Sequence, residues 1–194
     1  MNEKKSLDSE YFKMVYDANE DPWNFETSEY EAKKYAATIA ALPQKHYEKA
    51  LEIGCSIGVL TKMLAEKSSD LLATDVSQKA LDIAEKRCEN LENVRFEKMS
   101  FPQELPDDIY DLIMLSEVAY YLSPDDWEVA IESLYDRLQQ GGNVALVHWL
   151  PVVHDYPQTG DEVHETFEKL MSNRMKNVFS DRAETYRMDV WAKS

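Results

Sequence analysis

Short apolar runs alternate with stretches of helical period along most of this chain, which predicts an α/β domain. Strands are expected at Lys49–Ile53, Leu71–Thr74, Asn93–Glu97, about 109–115 and Asn143–His148. Between them Leu60, Met63 and Leu64 form one buried helical stripe, and Leu81, Ala84 and Cys88 another, N-capped by Ser77 and running to about Asn90. Ser123-Pro124-Asp125-Asp126-Trp127 is a strong helix start, with Trp127, Ile131, Leu134 and Leu138 on its buried face and Gly141-Gly142 as its expected stop. Two helices precede the first strand. One spans about 6–19 with Leu7, Tyr11 and Val15 in line; the other spans Glu29–Leu42 and is closed by Pro43. Beyond an irregular loop from Leu150 to Gly160, a helix over Asp161–Asn173 leads to an antiparallel closing pair near Lys176–Ser180 and Thr185–Ala192. There is no repeat, low-complexity tract or linker, so residues 1–194 are expected to form a single domain.

The chemistry concentrates at Ala50-Leu51-Glu52-Ile53-Gly54-Cys55-Ser56-Ile57-Gly58, a strand, a tight glycine turn and a helix start. Such a turn presents bare backbone N–H groups beside a helix N-terminus. Asp75, twenty-one residues after Gly54, closes the next strand, where an acid commonly binds ribose hydroxyls. No Gly-Lys-Ser/Thr is present, and the G-x-G-x-x-G dinucleotide fingerprint is incomplete. The pattern resembles motif I of the class I S-adenosylmethionine (SAM) methyltransferases, E/D-x-G-x-G-x-G, retaining Glu52, Gly54 and Gly58 but placing Ser56 at the middle glycine. The turn alone is equally a chance glycine turn; Asp75 at the right distance favours a cofactor site. The resemblance implies cofactor contacts from Glu52, Gly54, Cys55, Gly58, Asp75 and Val76, although Val76 is as readily a core residue. After the third strand, where many of these enzymes carry an adenine-binding acid, Lys98-Met99-Ser100-Phe101 has none, leaving Met99 and Ser100 to frame the base.

Charge narrows the partners. With 21 basic and 37 acidic residues the formal net charge is −16, which repels phosphate backbones and anionic membrane surfaces and tolerates a cationic amine. Most of that charge reads as a solubilising surface. The 2 cysteines form no CxxC pair, so neither a structural disulfide nor zinc is expected, and no metal-ligand spacing occurs elsewhere. The N-terminal residues lack the apolar core of a signal peptide, and a cytoplasmic enzyme is expected.

Four segments carry a narrower resemblance. Asp21-Pro22-Trp23, Ser28-x-Tyr30-Glu31-x-Lys33-Lys34-Tyr35, Leu51-Glu52-Ile53-Gly54-Cys55 and Ser116-Glu117-Val118-x-Tyr120-Tyr121 together resemble the NodS-like N-methyltransferases over roughly residues 10–150. That likeness implies a Rossmann-like class I methyltransferase fold, a seven-stranded mostly parallel sheet with helices on both faces, and an N-terminal helical cap over 1–45. It also implies SAM as methyl donor and S-adenosyl-L-homocysteine (SAH) as product. The acceptor it suggests is the amine of a deacetylated amino sugar or chitooligosaccharide. Within the cap, Tyr30 and Lys34 are placed to reach the methionyl carboxylate, Lys34 standing where the nodulation enzymes carry arginine; a solvated helix face is the competing reading. Trp23 is either a lid over the cofactor or a hydrophobic plug.

The end of the fourth strand, from Ser116 through Glu117 to Leu122, is where ligands meet open α/β sheets. Ser116 is assigned to the cofactor and Glu117 to the proton of the acceptor amine, with capping of the next turn as the alternative. Tyr120 and Tyr121 are candidates to stack on a sugar or hold a cation, or to be core. His154 is preferred over His148 as a second base, since His148 reads equally as a hydrogen-bonded core histidine. Two further functions stay open: a small-molecule O- or N-methyltransferase of secondary metabolism, and a non-catalytic SAM-binding sensor or partner subunit.

Overall fold

A computed structural model describes residues 4–194. Two helices come first, α1 (Ser9–Ala18) and α2 (Glu29–Ala41). Asp8 and Ser28 cap them by accepting the backbone N–H groups of Tyr11 and Glu31. Then follow β1 (Tyr47–Ile53), α3 (Val59–Ala65), β2 (Ser68–Asp75), α4 (Gln78–Arg87) and β3 (Val94–Lys98). β2 pairs in parallel with both β1 and β3, the geometry a helical crossover requires. Gly58, at φ +79°, opens α3, and a Cβ there would lie 2.9 Å from the Ala84 Cβ. Glycine therefore satisfies both the left-handed backbone and the close approach of α4. Leu51, Leu64, Leu71, Leu72 and Leu81 fill the core here.

The remaining elements are β4 (Tyr110–Ser116), α5 (Pro124–Asp136), β5 (Leu138–Trp149), α6 (Gly160–Met171), β6 (Met175–Arg182) and β7 (Tyr186–Lys193). β4 runs parallel to β5, while β5–β7 and β6–β7 are antiparallel, the expected closing pair. Trp127, fully buried on α5, donates its Nε1–H to the Val163 carbonyl of α6 at 3.0 Å. Gly160 opens α6, where a Cβ would come within 2.4 Å of the Trp149 carbonyl oxygen. The strands form one seven-stranded sheet in the order β3-β2-β1-β4-β5-β7-β6, mostly parallel and flanked by helices. The chain divides into two compact units, residues 8–105 and residues 106–194 with the segment ending at Leu7. No helix among the described residues is long and apolar enough to cross a membrane.

Two local expectations are corrected. α1 begins at Ser9 and so excludes Leu7; its buried side chain is Tyr16, with Phe12 packed against its cluster, while Tyr11 and Val15 of the expected stripe are half-buried. Gly141-Gly142 does not stop α5. The helix ends at Asp136, Arg137 donates its Nε–H to the Pro106 carbonyl at 2.6 Å, and Leu138 opens β5. The glycine pair then sits in an irregular part of β5, between the pairs Tyr110↔Leu138 and Leu112↔Asn143. An apolar Leu138 fits a helix face or a strand core equally by period, and the Arg137 contact settles which.

Candidate functional site

The candidate residues fall into two clusters, one in each unit. In the first, Gly54 and Cys55 both donate their N–H groups to the Thr74 carbonyl, at 2.8 and 2.9 Å, tying the glycine turn to β2. Ser56 adopts φ +50°, a left-handed conformation uncommon outside glycine, so the turn keeps its shape without the middle glycine. Its N–H donates to Asp75 Oδ2 at 2.9 Å, and its hydroxyl accepts the Tyr16 O–H at 2.6 Å. Ser77 N–H donates to Asp75 Oδ1 at 2.9 Å, while the Ser77 hydroxyl caps α4. Tyr16 is a site neighbour that sequence reasoning missed, because it lies forty residues from the turn.

Burial governs the electrostatics of this cluster. Asp75 is pushed up to about 6 by burial, opposed by the amides of Ser77, Ser56 and Val76. Glu52 is pushed to about 7, again by burial, with the Thr61 hydroxyl opposing and the Asp75 charge adding. Burial also raises the Tyr16 phenol and the Cys55 thiol, so both stay protonated. Glu52 Oε2 is buried with no hydrogen-bond partner among the described residues. An orphaned carboxylate oxygen and an acid at the end of β2 suit a ligand bearing hydroxyl or ammonium donors and repel a phosphate. SAM, with its ribose diol and positive charge, fits that donor set.

The helical segment ahead of β1 is organised by Asp21, whose carboxylate accepts the N–H groups of Phe25 and Glu26 at 2.8 and 3.0 Å. That turn sets Trp23 edge-on to Tyr16 and stacked with Phe25, packed on Tyr16, Ile57 and Ala80. These contacts are those of the plug reading. Lys34 is buried, and its ammonium is held by both carboxylate oxygens of Glu31, at 3.1 and 2.9 Å, with Tyr30 beneath it at 5.5 Å. The solvated-face reading thus fails for Lys34, but a ligand carboxylate would have to share it with Glu31. Met99 N–H donates to the Asp75 carbonyl at 3.0 Å, and Ser100 N–H to Glu104 at 2.7 Å. Val76 is half-buried beside Asp75.

In the second cluster, Ser116 Oγ ends β4 buried and without a hydrogen-bond partner among the described residues. Glu117 follows at φ +61°, strain of the kind that collects at functional sites. Its Oε2 accepts the Tyr120 O–H at 2.6 Å and the Trp149 N–H at 2.9 Å. Tyr120 stays protonated because burial first, then the Glu117 charge, pushes its phenol well up. Tyr120 and Tyr121 are both buried and pack on Tyr156 of the 150–160 loop, at 5.0 and 4.8 Å between ring centroids. Tyr156 had no local signal beyond its place in that loop. His154 is exposed on the same loop, whereas His148 is fully buried and hydrogen-bonded. Among the described residues no group of His, Cys, Asp and Glu is placed to hold a metal.

Comparison with known proteins places these clusters in context. The family model of Nodulation protein S (NodS) matches residues 10–146. Nodulation protein S of Rhizobium tropici is 30% identical over 129 residues, covering 66% of this chain and 54% of the relative. The same protein of Sinorhizobium fredii is 29% identical, over 66% and 60%. The matched segment thus spans little more than half the length of these curated relatives. A protein from Pseudomonas syringae, described as a candidate methyltransferase, is 30% identical, with a TM-score of 0.75 over 84% of this chain and 99% of that one. N-methyltransferase NodS from Bradyrhizobium japonicum in complex with SAH shares the fold at a TM-score of 0.80 and 20% identity, over 95% and 97%. With a family model matching well over half its length, this chain belongs to the NodS family.

Proposed function

We propose that this chain is a SAM-dependent methyltransferase acting on an amine, with a deacetylated amino sugar or chitooligosaccharide as the first acceptor to test. The observation that carries this reading is the buried Glu52–Asp75 pair at the glycine turn, whose unmatched oxygen asks for a donor-rich, positively charged ligand. Family membership supports it, as does the description of the Bradyrhizobium japonicum relative as an N-methyltransferase bound to SAH.

In this reading Asp75 and Glu52 hold the ribose and the cationic end of the cofactor, with Gly54, Cys55, Ser56 and Gly58 shaping the turn around it. Helices α1 and α2 form the cap, Trp23 and Tyr16 closing it through aromatic packing and Tyr30 and Lys34 serving the methionyl carboxylate. Val76, Met99 and Ser100 frame the adenine, and Ser116 offers a hydroxyl at the end of β4. SAM supplies a methyl group on a sulfonium, open to in-line displacement by a lone pair. Glu117 takes a proton from the acceptor ammonium, leaving the free amine as nucleophile. Tyr120 donates to Glu117 and fixes its carboxylate; His154 is a second candidate base.

A radiolabelled-SAM assay over deacetylated chitooligosaccharides, free glucosamine and simple amines tests this. Label is expected on nitrogen, and Glu117→Gln should lower kcat by about a hundredfold or more while SAH still binds. Transfer to hydroxyl acceptors alone would remove the N-methylation reading.

A further inference from the structure

One buried polar chain in the second unit has no part in the chemistry above. Ala119 N–H donates to His148 Nε2 at 3.1 Å, His148 Nδ1 lies 3.1 Å from His164 Nε2, and His164 Nδ1 lies 2.6 Å from Asp189 Oδ2. All three side chains are buried, contributed by β5, α6 and β7. An amide N–H can only donate, so His148 Nε2 is bare and a neutral His148 carries its proton on Nδ1. That proton faces His164 Nε2, which must also be bare, so His164 carries its own proton on Nδ1 and donates it to the Asp189 carboxylate. The direction of every proton is set from one end. Asp189 is held in turn by the Ser180 hydroxyl and by Arg187 Nε at 2.9 Å. Burial lowers the His164 imidazole, in keeping with its neutral form.

The end of this chain is a three-residue helical turn, Ala119–Tyr121, directly after Glu117. The first N–H groups of a helical turn need an outside acceptor, and Val118 at the cap position has no side chain able to provide one. His148 does so from β5. The neighbouring bonds hold the same segment: Glu117 N–H to the Val147 carbonyl at 2.8 Å, Gln158 N–H to the Tyr120 carbonyl at 3.3 Å, and Gln158 Nε2 to the Leu122 carbonyl at 2.9 Å.

We propose that His148, fixed in its Nδ1–H form by His164 and Asp189, is a positioning residue that caps the turn at Ala119 and thereby sets the Glu117 carboxylate and Tyr120 hydroxyl for the acceptor. The catalytic half of this statement rests on the reading of Glu117 as the acceptor-side base; the proton arrangement does not.

Long-range ¹H–¹⁵N correlation spectra of the full chain test the arrangement first. Two of the 4 histidines should be neutral with Nδ1 protonated. Finding His148 protonated on Nε2 would overturn it. Three variants then separate capping from stability. His148→Leu should speed amide exchange at Ala119 by about tenfold, the loss of one buried hydrogen bond. It should also lower kcat on a deacetylated chitooligosaccharide with SAH affinity unchanged. His148→Gln, whose Oε1 replaces the Nε2 acceptor, should restore both. Val163→Ala, a core change on α6, controls for general loosening and should not produce the kcat-specific pattern. Faster exchange at Ala119 with unaltered kcat in His148→Leu would sink the positioning role. A wild-type chain inactive on every amine would instead sink the functional reading, leaving the spectra and exchange rates to decide the cap.

Discussion

Asp75 and Asp189 are both buried carboxylates at sheet positions, yet burial ends differently for them. At Asp189, burial alone would raise the carboxyl, but the His164 and Ser180 hydrogen bonds and the Arg187 charge outweigh it and hold the group below its usual range. At Asp75 burial wins, and the opposition comes from backbone amides. The fold completes Asp189 with side-chain donors, holds Asp75 with the Ser56 and Ser77 amides, and leaves Glu52 Oε2 without a hydrogen-bond partner among the described residues. Burial by itself therefore says little about charge state; what differs is whether the donors the fold supplies outweigh desolvation, as they do at Asp189 and do not at Asp75.

The sharpest way to break this contrast is to remove each acid. Asp189→Ala leaves the buried His164 Nδ1–H without its acceptor and should cost about 1–3 kcal/mol in urea unfolding, with SAH affinity of the folded protein unchanged. Asp75→Ala should cost about 1.5–3 kcal/mol of SAH binding by calorimetry, at least a tenfold loss. Equal effects of the two substitutions on SAH affinity would erase the distinction.

The acids also predict opposite pH trends. Glu52 and Asp75, raised to about 7 and about 6 from ordinary values of 4.5 and 3.8, make the folded protein bind protons more tightly than the unfolded chain. Their contribution therefore weakens stability as pH rises across that window, and SAH should relieve the loss by matching the ionised carboxylates. Asp189, lowered from 3.8, stabilises the fold above that value, and the stabilisation is lost only as pH falls through its folded pKa. Melting temperatures across the pH range, with and without SAH, separate the two; a ligand-independent profile would count against Asp75 and Glu52 as binding acids. The smallest effect is expected from Tyr16→Phe, which removes the hydrogen bond to Ser56 and should cost about 1 kcal/mol, read by chemical denaturation.

The glycine turn was legible because everything it needs lies along one short segment. Gly54 and Gly58 set the turn, the following Val59–Ala65 stretch makes the helix, and Ser77 caps the next one through its own side chain. The closing antiparallel strands and the capped start of α5 were legible for the same reason: period and capping are local. The end of α5 was not, because Arg137 reaching Pro106 decides it across 31 residues. Lys34 was visible as a candidate, but its pairing with Glu31 depended on both side chains being buried on the same face of α2.

Sequence alone determined the alternation of strand and helix, the position of the turn, the acid at the end of β2 and the Ser116–Tyr121 segment, since each depends on residues within a few turns of one another. Tertiary structure alone decided which acids found partners and which way protons point along His148, His164 and Asp189. Desolvation and hydrogen-bond direction are set by whatever the fold packs around a group, and here those neighbours come from β5, α6 and β7, separated by 16 and 25 residues along the chain.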